Sequence, residues 1–173
     1  MGVALAEEAQ SRGAAVTLLA ANLQVEAPQG VEVVPTPTAA DLRREALERA
    51  DADVVLMAAA VGDYRSAEPL AGKRPKSPEP WTVELVPTTD VARALGVQRR
   101  DGQVLVAFGA GSGEDGLARK RTMLADKNVD LVVFNDVGRA DIGFESPDNE
   151  VTLVTGSGER TVPKASKPEI AAA

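Results

Sequence analysis

Four groups of residues in this chain of 173 sit where nucleotide chemistry would need them. The first is Ala58-Ala59-Ala60-Val61-Gly62-Asp63-Tyr64-Arg65, which follows an apolar run. Small side chains let a ligand approach the backbone, and Asp63 offers a carboxylate to a ribose hydroxyl or a cation; the plainer reading is a strand end closed by a turn. The second is Lys73, Arg74 and Lys76 on a Gly/Pro-rich loop. Three cations there suit a triphosphate, and the loop could close over it, although such loops are more often simply solvated. The third is Thr89-Asp90 at a predicted helix start, where free N–H groups attract anions and where Thr and Asp also serve as caps. The fourth is Phe108, then Gly109-Ala110-Gly111-Ser112-Gly113, then Lys120 and Lys127. Phe108 could flank a base and the glycines could cradle phosphate; equally, Phe108 fits a core and the lysines a wet helix face. The spacing is neither a Walker motif nor a GxGxxG fingerprint.

Composition narrows the chemistry. The chain has no Cys and no His, which excludes disulfides, thiolate or imidazole metal sites, Cys nucleophiles and His general bases. Catalysis would rest on Lys, Arg, Asp, Glu, Asn, hydroxyls and backbone dipoles, a set suited to charge stabilisation as in nucleotidyl transfer. A net charge of −7 argues against nucleic acid as the main partner, and 3% aromatic residues leave few stacking platforms. No apolar run approaches the roughly 20 residues of a membrane span, and the acidic, Ala-rich start is unlike a signal peptide. A cytoplasmic protein without membrane contact is the expectation.

The elements that would position these groups alternate. Helices are predicted over Val3–Arg12, Asp41–Ala50 with Thr38 as its cap, through Leu95 after a cap at Thr89 or Asp90, over Asp115–Lys127 and from Ser166. Apolar strands are predicted over Ala15–Ala20, Val31–Val34, Asp53–Ala60, Trp81–Val86, Val104–Phe108 and Asp130–Phe134. The run at 53–60 reads as a parallel strand covered on both faces. Residues 61–80 read as one long polar loop, a length that usually signals function. Glu150–Thr155 and Arg160–Val162 form a predicted hairpin, with Pro163 closing the second strand. This order predicts one α/β domain over 1–173, a doubly wound, Rossmann-like, mostly parallel sheet with a C-terminal β-hairpin that could serve in dimerisation. Such a domain normally opens with a strand and a Gly-rich loop. Here the first helix begins at residue 3, so the expectation is an N-terminally shortened chain lacking that strand and loop.

Together these residues resemble the phosphopantothenoylcysteine synthetase domain, which in bacteria is often fused to a decarboxylase flavoprotein. The likeness spans nearly the whole chain. It is carried by Ala58–Arg65 with Lys73 at the matching distance, and by Asn135-Asp136-Val137, Gly143-Phe144 and Asp148-Asn149 before the final hairpin. The resemblance implies a two-step ligation in coenzyme A biosynthesis. CTP, with Mg²⁺, activates the carboxylate of 4′-phosphopantothenate as an acyl-cytidylate with loss of pyrophosphate; the amine of cysteine then displaces CMP. It implies that Met57, Ala58 and Ala59 contact the nucleotide, and that Asp63 binds it directly or through the cation. By the same likeness Lys73 holds it from a mobile flap, and Thr89, Asp90, Val91 and Ala92 approach it at a helix N-terminus. Phe108 would lie beside the base, and Lys127 would reach the nucleotide from its helix. A homodimer and a fused or separate flavin-dependent decarboxylase are the implied partners.

The chain departs from the family pattern in places. The GGTREP-like loop and most of the NxSSGKMG segment would precede residue 1, leaving only Met1-Gly2. GFAAET becomes Ala107-Phe108-Gly109-Ala110-Gly111-Ser112, and KIKK becomes Lys73-Arg74-Pro75-Lys76. Two rivals remain at this level: a non-catalytic, dimerising nucleotide-binding relic, and a nicotinamide-dependent Rossmann reductase. The absence of GxGxxG weighs against the second.

Overall fold

The computed structural model describes residues 1–138, 142 and 146–173. Its elements run α1 (Gly2–Ser11), β1 (Thr17–Ala20), β2 (Glu32–Pro35), α2 (Ala39–Glu48), β3 (Val54–Met57), β4 (Tyr64–Ser66), β5 (Leu85–Pro87), α3 (Val91–Gln98), β6 (Val104–Gly111), α4 (Gly113–Lys127), β7 (Leu131–Asp136), β8 (Asp148–Thr155), β9 (Gly158–Ser166) and α5 (Lys167–Ala172). The central sheet has the order β3-β6-β7-β8-β9. Its first three strands are parallel, and β8 and β9 add antiparallel. The α/β, mostly parallel expectation holds.

Helices begin where side chains satisfy their free N–H groups. Thr38 accepts from the Asp41 N–H, Asp90 from Arg93, and Ser166 forms a reciprocal capping box with Glu169. Alternation along β6 divides the sheet into two packed faces. Leu105 and Ala107 join the core under α2, α3 and α4 together with Val132, Val154, Val91 and Leu95. Val106 joins Val133, Val151, Val162 and Ile170 on the opposite face, with Phe108 packed alongside. Complete burial of a side chain such as Leu105, 1% exposed, contributes roughly 1.5–3 kcal/mol.

Several elements differ from the sequence reading for physical reasons. The run at 53–60 is not covered on both faces: only Val54–Met57 forms the strand, and Val54 and Leu56 are exposed. Among the described residues β3 pairs with β6 alone, while β1 and β2 form a separate parallel pair. The glycine-rich run expected to be a loop is largely strand, with Gly109 opposite Phe134 and Gly111 opposite Asp136. Trp81–Glu84 stays irregular, and only Leu85–Pro87 pairs, with Tyr64–Ser66 inside the predicted loop. The hairpin is integral to the sheet rather than an appended arm, because β8 pairs with β7 from Asn135 to Leu131. Pro163 does not close its strand; β9 continues to Ser166, which an edge position permits because its outer side needs no N–H.

Candidate functional site

β3, β6 and β7 run parallel, so their C-terminal ends share one rim of the sheet, where open α/β domains bind ligands. A cleft of ≈ 160 Å³ opens there. Ala58, Ala59 and Ala60 line it from the end of β3, Phe108, Gly109 and Ala110 from β6, and Asn135 from β7. Asn149, Met1, Gly2 and Lys167 complete the far side. The volume is below the roughly 300 Å³ at which ligand pockets typically start. Phe108 is half-buried between the cleft and the core beneath it, and offers an apolar wall.

The two asparagines are the polar floor. Asn149 is 2% exposed, and its Nδ2 donates to the Asn135 Oδ1 at 3.0 Å. Its Oδ1 accepts from the Glu150 N–H at 3.0 Å, where β8 and β9 slip register between Asn149 and Val151. A bulge normally strands a backbone donor; here the side chain takes it. Both asparagines were part of the motif that carried the family likeness, yet no role follows for them from sequence. A polar amide in a strand that must be buried is the signal that points to them.

Around the cleft the predicted residues divide. Ala58, Ala59 and Phe108 come together in the cleft, whereas Met57, the last residue of β3, packs against the core with Leu105 and Ala107 and does not line it. Val91 and Ala92 are 2% and 5% exposed in the core, so only their backbone could face a ligand. Asp90, not Thr89, caps α3, accepting from the Arg93 N–H at 3.0 Å. Asp90 also holds Lys127, with Nζ 3.0 Å from its Oδ2. Burial works against the Asp90 charge, but the Arg93 N–H and the Lys127 ammonium outweigh it and keep the carboxyl below its usual range. Lys127 is thus committed to a partner.

Asp63 and Lys73 lie outside the cleft lining. Asp63 is exposed just before β4, and its carbonyl accepts from the Thr88 N–H at 2.8 Å. Lys73 is exposed on the segment between β4 and β5, where its neighbour Arg74 stacks on Trp81 with 4.4 Å to the ring centroid. Gly143 and Phe144, quoted for the family likeness, fall outside the described residues. Among the described residues, no group of three or more carboxylates gathers as a metal cluster.

The glycines after Phe108 serve contact more than anion binding. Gly111 and Gly116 face each other so closely that a Cβ on Gly111 would lie 3.0 Å from the Gly116 Cα. The Gly113 N–H donates to Asp136 Oδ2 at 3.2 Å, and Glu114 and Asp115 follow in the first turn of α4. That helix start is acidic and partly occupied, a poor phosphate cradle. Gly109 instead makes room for the side chain of Lys120, whose Cε would lie 2.6 Å from a Cβ placed there.

The whole chain, residues 1–173, matches the DNA/pantothenate metabolism flavoprotein C-terminal domain family. The chain belongs to this family. Its likeness to the phosphopantothenoylcysteine synthetase domain, carried by Ala58–Arg65 and the Asn135 and Asn149 segments, is thereby borne out. The "Coenzyme A biosynthesis bifunctional protein CoaBC" of Bacillus subtilis is 37% identical over 174 residues, covering 98% of this chain and 42% of that protein. Its counterpart in Mycolicibacterium smegmatis is 38% identical over 168 residues, covering 91% of this chain and 40% of that protein. The chain therefore spans less than half the length of the curated relatives it matches. The crystal structure of the C-terminal domain of a CoaBC protein superposes with a TM-score of 0.76 at 28% identity, over 98% of this chain and 76% of that one. No helix among the described residues of this flavoprotein C-terminal domain is long and apolar enough to cross a membrane.

Proposed function

We propose that this domain performs the ligase half of coenzyme A biosynthesis, joining 4′-phosphopantothenate to cysteine at the expense of CTP. The observation that carries the reading is the cleft itself. In a chain of this family, a rim of alanines faces Phe108 over a floor of paired asparagines, at the C-terminal ends of three parallel strands. Alanines admit a ligand to the backbone, Phe108 offers a face to a base, and the amides offer both donors and acceptors.

In the first step a carboxylate oxygen of 4′-phosphopantothenate attacks the α-phosphorus of CTP. A P–O bond forms, pyrophosphate leaves, and an acyl-cytidylate results. In the second, the cysteine amine attacks the acyl carbon; the amide C–N bond forms, CMP leaves, and the amine gives up a proton. Neither step requires an imidazole or a thiolate from the protein, in keeping with a chain that has neither. In this reading Asp63, whose carboxylate is exposed, would help to hold a magnesium nucleotide, since Mg²⁺ commonly takes one or two carboxylates with the rest from phosphates and water. Mg²⁺ would supply charge neutralisation on the phosphates. Lys73 would reach the ligand by movement of the segment between β4 and β5, while Thr89, Asp90 and the backbone of Val91 and Ala92 border it at α3. Lys127 would act through the Asp90 pair.

A cytoplasmic homodimer, alongside a flavin-dependent decarboxylase in the same or another chain, completes the proposal. The test is pyrophosphate release with 4′-phosphopantothenate and Mg²⁺, comparing CTP with ATP, UTP and GTP, with and without cysteine. Release selective for CTP, with amide product only when cysteine is added, is expected. Nucleotide binding without release would instead identify a binding protein.

A further inference from the structure

The two amides on the floor of the cleft form a chain of hydrogen bonds with only one possible direction. It starts at the Glu150 N–H, a backbone group that can only donate, so the Asn149 atom that meets it at 3.0 Å is Oδ1. The other end of that amide is therefore Nδ2, a donor, and the Asn135 atom it meets at 3.0 Å is Oδ1. Asn149 is 2% exposed, at the register slip between Asn149 and Val151. Turning its amide over would set an NH2 group against the Glu150 N–H with no water to answer either.

Asn135 stands at the end of the chain. It lies on β7 between Ala110 of β6 and Val151 of β8, and it lines the cleft together with Ala110. Among the described residues no acceptor takes its Nδ2. An amide that is free to turn can offer a ligand its oxygen or its nitrogen, whereas one held by its oxygen can offer only N–H groups. Resting on the ligase reading above, we propose that Asn149 is a positioning residue. It locks the Asn135 amide so that the floor meets a substrate oxyanion, a phosphate or carboxylate oxygen, with a donor.

Asn149→Asp tests the direction of the chain. The new carboxylate still accepts from the Glu150 N–H but cannot donate, so Asn135 turns its NH2 group towards it and shows Oδ1 to the cleft. Binding of CTP with Mg²⁺, of 4′-phosphopantothenate and of inorganic pyrophosphate with Mg²⁺ is measured by calorimetry on the whole chain at pH 8. The ligand whose oxyanion meets Asn135 is expected to bind about tenfold more weakly, the scale of a charge-assisted hydrogen bond, and the arm that responds identifies it. Repulsion by the new charge is separated with Asn135→Leu, where Asn149→Asp is expected to add less than about twofold because no amide remains to turn. Lowering the pH through the pKa of the introduced carboxyl gives it an O–H that can again donate to Asn135, and affinity relative to wild type is expected to recover. Thermal melts report folding. Should Asn149→Asp be unfolded, the neutral Asn149→Leu frees the Asn135 amide and carries the test, with a weaker loss in the same arm expected. A folded variant that binds every ligand like wild type overturns the proposal, and so does an equal loss in the Asn135→Leu background. Pyrophosphate bound through this chain, with CTP and 4′-phosphopantothenate bound no better, would keep the positioning role and sink the ligase reading. CTP bound tightly and indifferent to Asn149 would do the reverse, and a wild-type chain that binds none of the three would overturn both.

Discussion

The segment from Asp63 to Thr88 and helix α4 each carry several cations, and they hold them in opposite ways. On the first, Lys73, Arg74 and Lys76 are all exposed, and the segment is tied down by a ribbon of three residue pairs. A two-stranded ribbon is marginal by itself, so little fixes where those charges point. On α4, Met123 is buried in the core, Gly111 and Gly116 set a close approach to β6, and Asn128 in the left-handed region ends the helix. Lys120 and Lys127 are consequently held at definite places. Charge on a ribbon can move to a ligand, whereas charge on a packed helix must already be there. In the nucleotide reading proposed above, the first kind would close over phosphate and the second would receive it.

The largest expected effect breaks the packed side of that comparison. A Cβ on Gly96 would collide with the Lys127 carbonyl oxygen, a backbone atom with no rotamer to give. Asn128 Nδ2 also donates to the Gly96 carbonyl at 2.8 Å, so α3 and α4 are joined at this point. Gly96→Ala is expected to destabilise the fold by about 3 kcal/mol, at the upper end for overpacking, because backbone must shift. Urea unfolding measures it. A loss under about 1 kcal/mol would show that the α3–α4 contact is soft and that Lys120 and Lys127 are less fixed than argued.

A smaller effect sharpens the electrostatic half. Asp90→Ala removes the cap of α3 and the partner of Lys127 together, and a lost cap typically costs about 1 kcal/mol. The folded-state pKa of Asp90 is depressed, so its contribution is full above the ordinary carboxylate value of about 3.9 and is lost as pH falls through the lower folded value. The stability difference between wild type and Asp90→Ala is therefore expected to be level from pH 8 to 5 and to shrink below pH 4. A difference that persists unchanged at pH 3 would mean that the carboxylate charge is not what holds α3.

Much of this arrangement was legible in the sequence, for reasons that can be named. Apolar runs at 104–108 and 130–134 must be buried and therefore mark central strands; Thr38 and the Thr89-Asp90 pair announce helix starts because few side chains cap well, and the fold chooses Asp90 over Thr89. Within the Ala58–Arg65 run, Ala58, Ala59 and Ala60 line the cleft, because small residues after a strand leave backbone open. What could not be read depends on partners distant in sequence. Nothing local distinguishes Gly109, which accommodates Lys120, from Gly111, which meets Gly116 and Phe134. Both lie in a run that looks like a loop and is strand, since pairing with Phe134 and Asp136 overrides glycine's weak strand preference. Lys120 and Lys127 looked alike on the helix. Only the fold shows that, among the described residues, Lys127 has a carboxylate partner and Lys120 does not.

The smallest effect concerns the ribbon. Arg74 stacks on Trp81, the one tryptophan in the chain, so emission from the whole protein reports this segment alone. An exposed cation–π contact is worth about 0.5–1 kcal/mol, and it orders a loop that contributes little to the core. Arg74→Ala is therefore expected to leave the unfolding midpoint nearly unchanged while altering Trp81 emission towards that of a more solvated indole. Lys73 is next in the chain, so releasing Arg74 should also change how freely Lys73 moves. If this segment closes over the ligand, CTP with Mg²⁺ should change Trp81 emission in wild type, and Arg74→Ala should change the amplitude of that response. Emission insensitive to ligand in a chain that binds CTP would mean that the ribbon stays open and that phosphate is received by the packed helix alone.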